Sequence, residues 1–201
     1  MLILRSSPPS PFGRKVKIAA DMLGLSERMK VVPADTTSAT DDLRQQNPLG
    51  KIPVLIAEDG TSLYDSPVIL EYLDHLAGGG RILPAGEARF AALTHQALFD
   101  GVLDACILRV YEARWRPAEH HVQAWLDYQT GKVERALAHA EASLSSPAAE
   151  LHVGHITQAC ALGYLDFRFA GTWRAEYPKL VAWLDDFAAR VPSFAATKVA
   201  A

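Results

Sequence analysis

Apolar positions along the first third of the chain change period several times. Leu2 to Leu4 is a short apolar run. Val16, Ala19, Ala20 and Leu23 then recur at helical spacing, and Gly24 follows as a helix stop. Met29 to Val32 reads as a strand, and a polar stretch with helical potential runs on to Gln46. Pro53 to Ala57 is rich in β-formers, Glu58-Asp59-Gly60 is a turn, and Thr61 to Tyr64 returns as the second arm of a hairpin. Ser66-Pro67 opens a helix, with Ser suited to the N-cap and Pro to the first helical position. Val68, Ile69, Tyr72, Leu73 and Leu76 supply its buried face. The order is β-α-β-α-β-β-α. Strand–helix–strand favours a parallel pair and the tight turn an antiparallel hairpin, so a small mixed sheet with helices on it is expected.

The texture changes after residue 78. Gly78-Gly79-Gly80 reads as a flexible segment, and Leu83-Pro84 ends it. Beyond it the pattern is helical throughout: Ala85 to Trp115, Glu119 to Ser145, Leu151 to Ala170 and Tyr177 to Val191. In the last of these, Leu180, Trp183, Leu184, Phe187 and Val191 share one face. The expected division is an α/β domain over 1–78, a linker over 79–86 and an all-α domain over 87–201.

Composition narrows the partners. The 201 residues are 49% hydrophobic and 21% charged, ordinary globular values that leave room for one or two packed cores. The formal charge is -3 and no block of Lys or Arg stands out, which argues against a nucleic-acid partner. The longest uncharged apolar run, Leu151 to Leu165, holds two His and falls short of a membrane span. MLILRSS has too short an apolar core for a signal peptide, so a soluble cytoplasmic protein is expected. Cys106 and Cys160 sit in apolar helical surroundings with no CxxC, and read as small buried residues rather than a redox pair.

Three places carry candidate chemistry. In SSPPSPFGRKVKI, Ser10-Pro11 repeats the cap grammar of Ser66-Pro67. Ser10 is either a plain helix cap or a cap whose free O–H donates to a small anion such as a thiolate. A hydrogen bond to a charged partner contributes roughly 1.5–3 kcal/mol and the helix dipole roughly 0.3–1 kcal/mol. Together they suffice to lower a thiol pKa from about 8.5 by about one to three units. Ile52-Pro53 is either a strand-edge proline or a turn that offers the backbone of Ile52 to a peptide-like ligand as an extra strand. Asp65-Ser66 is either a cap or a holder of an amino-acid head group, with Asp65 for the ammonium and Ser66 and backbone N–H groups for the carboxylate.

In this order and spacing the three places resemble the cytosolic glutathione transferase family over nearly the whole chain. SPFGRKV looks like that family's first-helix motif, with Ser in the active position as in theta-like members; omega-like members and glutaredoxins carry Cys there. NPLGKIPVL looks like its cis-proline loop, DSPVILEYL like its motif for the γ-glutamyl group, and CALGYLDFR like the central helix of a bacterial subgroup. The resemblance implies a thioredoxin-like domain followed by a helical domain, glutathione as co-substrate, no metal, and a homodimer. It implies that Ser10 activates the thiol, with Ser7 as the competing donor in the same loop. Ile52, beside Pro53, would pair with the cysteinyl part, Asp65 and Ser66 would hold the γ-glutamyl end, and Lys51 would reach the glycyl carboxylate. Phe12, Tyr111 and Trp115 are candidates to line the pocket of a small hydrophobic electrophile.

One motif departs from the family pattern. Where a Ser/Thr-x-x-Asp capping box is usual, this chain has LHVGHI, with His152 and His155. A weaker cap or an interface role is expected there, since a metal site on two His lacks a third ligand in the sequence. The expected function is transfer of glutathione, as thiolate, to an electrophile. The alternatives are a non-catalytic module that binds glutathione or a protein, and a glutathione-dependent thiol reductase, which wants Cys at position 10.

Overall fold

A computed structural model describes residues 1–144 and 150–199. The expected helix end at Ser145 lies outside the described residues. The described residues form two units, one of Met1–Ala92 with residues 191–199, the other within residues 93–190.

The first unit carries β1 (Leu2–Ser6), α1 (Pro11–Met22), β2 (Met29–Pro33), α2 (Leu43–Gln46), β3 (Val54–Ile56), β4 (Ser62–Leu63) and α3 (Ser66–Leu76). The element order is the expected one, and the unit is thioredoxin-like. The sheet runs β2-β1-β3-β4, with β1 and β2 parallel and the other pairs antiparallel. Leu2, Leu4, Val54 and Leu55 from the sheet are buried with Val16, Ile18, Ala19 and Ala20 of α1 and Ile69, Leu70 and Leu73 of α3. The spacing in each helix gives one apolar face, and burial of those faces is what stabilises elements this short.

The polar stretch before Gln46 forms only the four residues of α2. Residues 34–42 are held as a loop instead. The buried Arg5 guanidinium pairs with Asp41 at 2.8 Å and with Asp42, and donates to Gln46 at 2.9 Å. That pairing raises the Arg5 pKa, although burial opposes it most strongly. Asp35 turns the loop by accepting from the Thr37 N–H at 2.8 Å.

The glycine segment after α3 is pinned rather than free. The buried Asp74 carboxylate accepts from the N–H groups of Gly80, Arg81 and Ile82 at 2.7, 2.9 and 2.8 Å. Gly78, Gly79 and Gly80 all have positive φ, which glycine adopts without a Cβ clash.

α4 (Glu87–Trp115) begins in the first unit, and the second contains α5 (Gln123–Ser143), α6 (Val153–Arg168) and α7 (Pro178–Arg190). The second unit is all-helical, as expected. By length and composition alone α4 is able to cross a membrane; yet Phe99, Val102, Leu103 and Cys106 on it are buried. α6 is buried continuously from Val153 to Leu162, as suits a helix apolar on every side.

A last helix, α8 (Pro192–Ala196), was not expected, and it belongs with the first unit. Arg14 of α1 holds it. The guanidinium donates to the Phe194 carbonyl and, at 3.2 Å, to the Thr197 hydroxyl, and lies 4.1 Å from the centroid of the Phe194 ring. The sequence division at 79–86 thus leaves out a C-terminal return to the α/β unit.

Candidate active site

The register of the sheet brings three segments to one end. Arg5 of β1 pairs with Val54 of β3, so the loop after β1 lies beside the residues that enter β3. Leu63 of β4 pairs with Leu55, which puts the start of α3 at that same end. The three candidate motifs are those segments.

Ser7-Pro8-Pro9-Ser10 is a turn closed by the Ser10 N–H on the Ser7 carbonyl at 3.1 Å. The prolines preset φ on either side of Ser10, which accounts for their density here. Ser10 is the N-cap of α1 and Pro11 its first residue, as expected. The Ser10 Oγ accepts from the Gly13 N–H at 3.1 Å, and the Arg14 N–H bonds the Ser10 carbonyl at 3.0 Å. Gly13 is glycine for a close approach: a Cβ there would fall 1.9 Å from the Ser6 hydroxyl. The start of α1 is thereby pressed onto the end of β1. Ser7 is half-buried beside Ser10.

In the second segment, the buried Asn47 shapes the loop. Its Nδ2 donates to the Lys51 carbonyl at 2.9 Å, its Oδ1 accepts from Leu49 at 3.0 Å, and its carbonyl accepts from Gly50 at 2.8 Å. The Ile52–Pro53 peptide is cis. Ile52 precedes the β3 ladder, and its side chain packs against Ala34, Leu43 and Val54. The Lys51 side chain is exposed. Asn47 was absent from the expected site, although Asn before Pro-x-Gly is a turn signal.

The third segment differs by one residue from expectation. Asp65, not Ser66, is the N-cap of α3, with Ser66 and Pro67 the first two helical residues. Asp65 and Ser both suit a cap, and Pro fits either early position, so the local pattern does not choose. The Asp65 carboxylate is exposed and makes no capping hydrogen bond. Ser66 is buried, and its Oγ accepts from Lys15 Nζ of α1 at 3.1 Å. Phe12 is half-buried in this unit, whereas Tyr111 and Trp115 are exposed near the end of α4 in the second.

The second unit holds a histidine cluster at the start of α6. His95 supplies the third ring that the sequence did not reveal, and one nitrogen from each of His95, His152 and His155 lies within 4.8 Å of the others. Two of the three rings are already committed. His152 Nδ1 accepts from the Gly154 N–H and His155 Nδ1 from the His152 N–H, each at 3.1 Å. Each neutral ring then carries its one proton on Nε2 and has no second lone pair for a cation. Burial pushes His152 down to about 4, assisted by His95. Burial, then His152, His95 and Arg190, pushes His155 down to about 3. This is a capping box built from two imidazoles, rather than the weaker cap expected from the sequence.

A thioredoxin-like unit with a serine-capped first helix, a cis-proline loop and an Asp-Ser helix start, followed by an all-helical unit, defines a glutathione transferase fold. Family comparison agrees: residues 4–81 match the glutathione S-transferase N-terminal domain and residues 110–186 the C-terminal domain. The uncharacterized GST-like protein YibF of Escherichia coli K12 is 34% identical over 97% of both chains. A glutathione transferase family member from Pseudomonas fluorescens Pf-5, solved with bound glutathione, is 40% identical over the full length of both chains, with a TM-score of 0.93. A glutathione S-transferase from Methylobacillus flagellatus KT with glutathione bound is 34% identical over both full chains, with a TM-score of 0.92. The chain belongs to the glutathione S-transferase family and is a GST-like enzyme.

Proposed function

We propose that this chain binds glutathione in its thioredoxin-like unit and activates the thiol as a thiolate for attack on a small hydrophobic electrophile. The observation that carries this reading is the state of the Ser10 hydroxyl. Its oxygen already accepts from Gly13 N–H, so its own O–H is left to donate outward at the positive end of α1. A hydroxyl that accepts one hydrogen bond is the better donor of another. Donation to the bound sulfur favours its anion.

The rest of the ligand follows the three segments. The backbone of Ile52 pairs with the cysteinyl part, Asp65 takes the γ-glutamyl ammonium, Ser66 takes its carboxylate, and Lys51 reaches the glycyl carboxylate. In the reaction the thiol proton leaves to water, the sulfur lone pair forms the S–C bond, and the leaving group departs with its electron pair. Catalysis is then thiolate stabilisation and positioning. The Pseudomonas fluorescens relative was also solved with S-(propanoic acid)-glutathione, which supports room for a substituent at the sulfur. The proposal includes a cytoplasmic homodimer acting in detoxification. Disulfide reduction fits less well, because Cys106 and Cys160 are both buried in the second unit.

The test follows thiolate absorbance of bound glutathione against pH for wild type, Ser7→Ala and Ser10→Ala. A depressed thiol pKa that recovers only in Ser10→Ala supports the reading. Binding without any depression in wild type replaces it with the binding-module alternative.

A further inference from the structure

Lys15 has no exposed surface. An ammonium is rarely taken wholly out of water, because its N–H groups must then all find acceptors inside the protein. Its Nζ lies 3.1 Å from the Ser66 hydroxyl oxygen and 5.7 Å from the centroid of the Phe12 ring. The side chain therefore spans from the second turn of α1 to the first residue of α3. It underlies the segments assigned above to the ligand.

The Lys15–Ser66 contact has one polarity. An ammonium carries three donors and no lone pair, so Nζ donates and Ser66 Oγ accepts. The single O–H of Ser66 cannot then point at Lys15 and must donate elsewhere. We propose that Lys15 is a positioning residue for ligand recognition, aiming the Ser66 O–H at the α-carboxylate of the γ-glutamyl group. This rests on the glutathione reading of the preceding subsection and adds to it a role for a second residue of the first-helix segment, SPFGRKV. A hydroxyl accepting from a cation is polarised into a stronger donor.

The test compares glutathione with γ-aminobutyryl-Cys-Gly, which keeps the amine and lacks the α-carboxylate. Wild type should prefer glutathione. Lys15→Met should weaken glutathione about tenfold, the scale of one hydrogen bond to a charged group, and leave the analogue unchanged. Ser66→Ala should show the same selective loss, and Lys15→Met on top of it should add nothing. Equal weakening of both peptides, unchanged discrimination, or an additive loss in the double variant each overturns the proposal. Wild type binding neither peptide overturns the glutathione reading itself, a distinct outcome.

A measurement on the unsubstituted protein covers the case in which Lys15→Met does not fold. A buried, hydrogen-bonded lysine ammonium gives a slowly exchanging resonance in a proton–nitrogen spectrum. Glutathione should shift it and the analogue should not. An equal shift with both, or none with either when both bind, overturns the assignment.

Discussion

His152 and His155 close the start of α6 on each other, the first ring accepting from the backbone two residues on and the second accepting from the N–H of the first. Both bonds need unprotonated Nδ1 atoms. The folded rings titrate near 4 and near 3, below the ordinary histidine value of about 6.5. Below that ordinary value the unfolded chain takes up protons that the folded rings refuse. Stability from this pair is therefore complete above about pH 6.5 and is lost progressively as pH falls from there through the folded values near 4 and 3. Replacing His152→Ser together with His155→Asp should keep the cap and move the acid loss to below about pH 4, where a carboxyl titrates. His152→Ala should cost about 1 kcal/mol at neutral pH. Urea midpoints measured from pH 7 to pH 4 check both; an unchanged pH profile in the double variant would contradict the box.

The three N–H groups that converge on Asp74 predict a large local effect. Asp74→Ala leaves the donors of Gly80, Arg81 and Ile82 without their carboxylate. The expected loss is about 3 kcal/mol in a urea titration, with proteolysis appearing first between residues 78 and 86. A loss under about 0.5 kcal/mol, typical of a surface change, would mean that the glycine segment holds its path without Asp74.

How much of this was open to a sequence reading depends on the range of the interaction that decided each feature. The face of α1 and the Glu58-Asp59-Gly60 turn are set by residues a few positions apart, and they were legible. So was Ser10-Pro11, because cap and first-turn proline act within one turn. The polar stretch up to Gln46 has helical potential locally, but its part over 34–42 is restrained as a loop by Arg5 on β1, 36 residues from Asp41. α8 depends on Arg14, 180 residues before it. The burial of Lys15 was not legible: a charged residue in a helix reads as solvated, and its contact with Ser66 lies 51 residues on. His95 was hidden for the same reason, being brought to α6 by packing against Gly154, where a Cβ would meet its ring at 2.7 Å.

Both cysteines should be inert in the native protein. Burial pushes the Cys106 thiol up to about 12, with Arg109 opposing only in part. Cys160 is fully buried on α6. Alkylation with iodoacetamide at pH 8 should label neither within the time that the urea-unfolded chain takes up two equivalents. Rapid native labelling of one site would show a thiolate-competent cysteine, and would reopen the thiol-exchange reading.

The two duties assigned to Ser10 are separable, because capping needs an acceptor and thiolate stabilisation needs a donor. Ser10→Ala removes both, so it should cost about 1 kcal/mol of stability and also release the bound thiol toward its free pKa of about 8.5. Ser10→Asp keeps an oxygen for the Gly13 N–H but, when ionised, offers no hydrogen and adds a negative charge. It should retain stability within about 0.5 kcal/mol of wild type while raising the pKa of bound glutathione above that in Ser10→Ala, since a neighbouring anion opposes the thiolate. Ser10→Thr keeps both groups and should preserve both properties. Thermal unfolding reads the cap, and thiolate absorbance against pH reads the donor. If the thiol pKa in Ser10→Asp matches wild type, the cap alone matters and the O–H of Ser10 does not reach the sulfur.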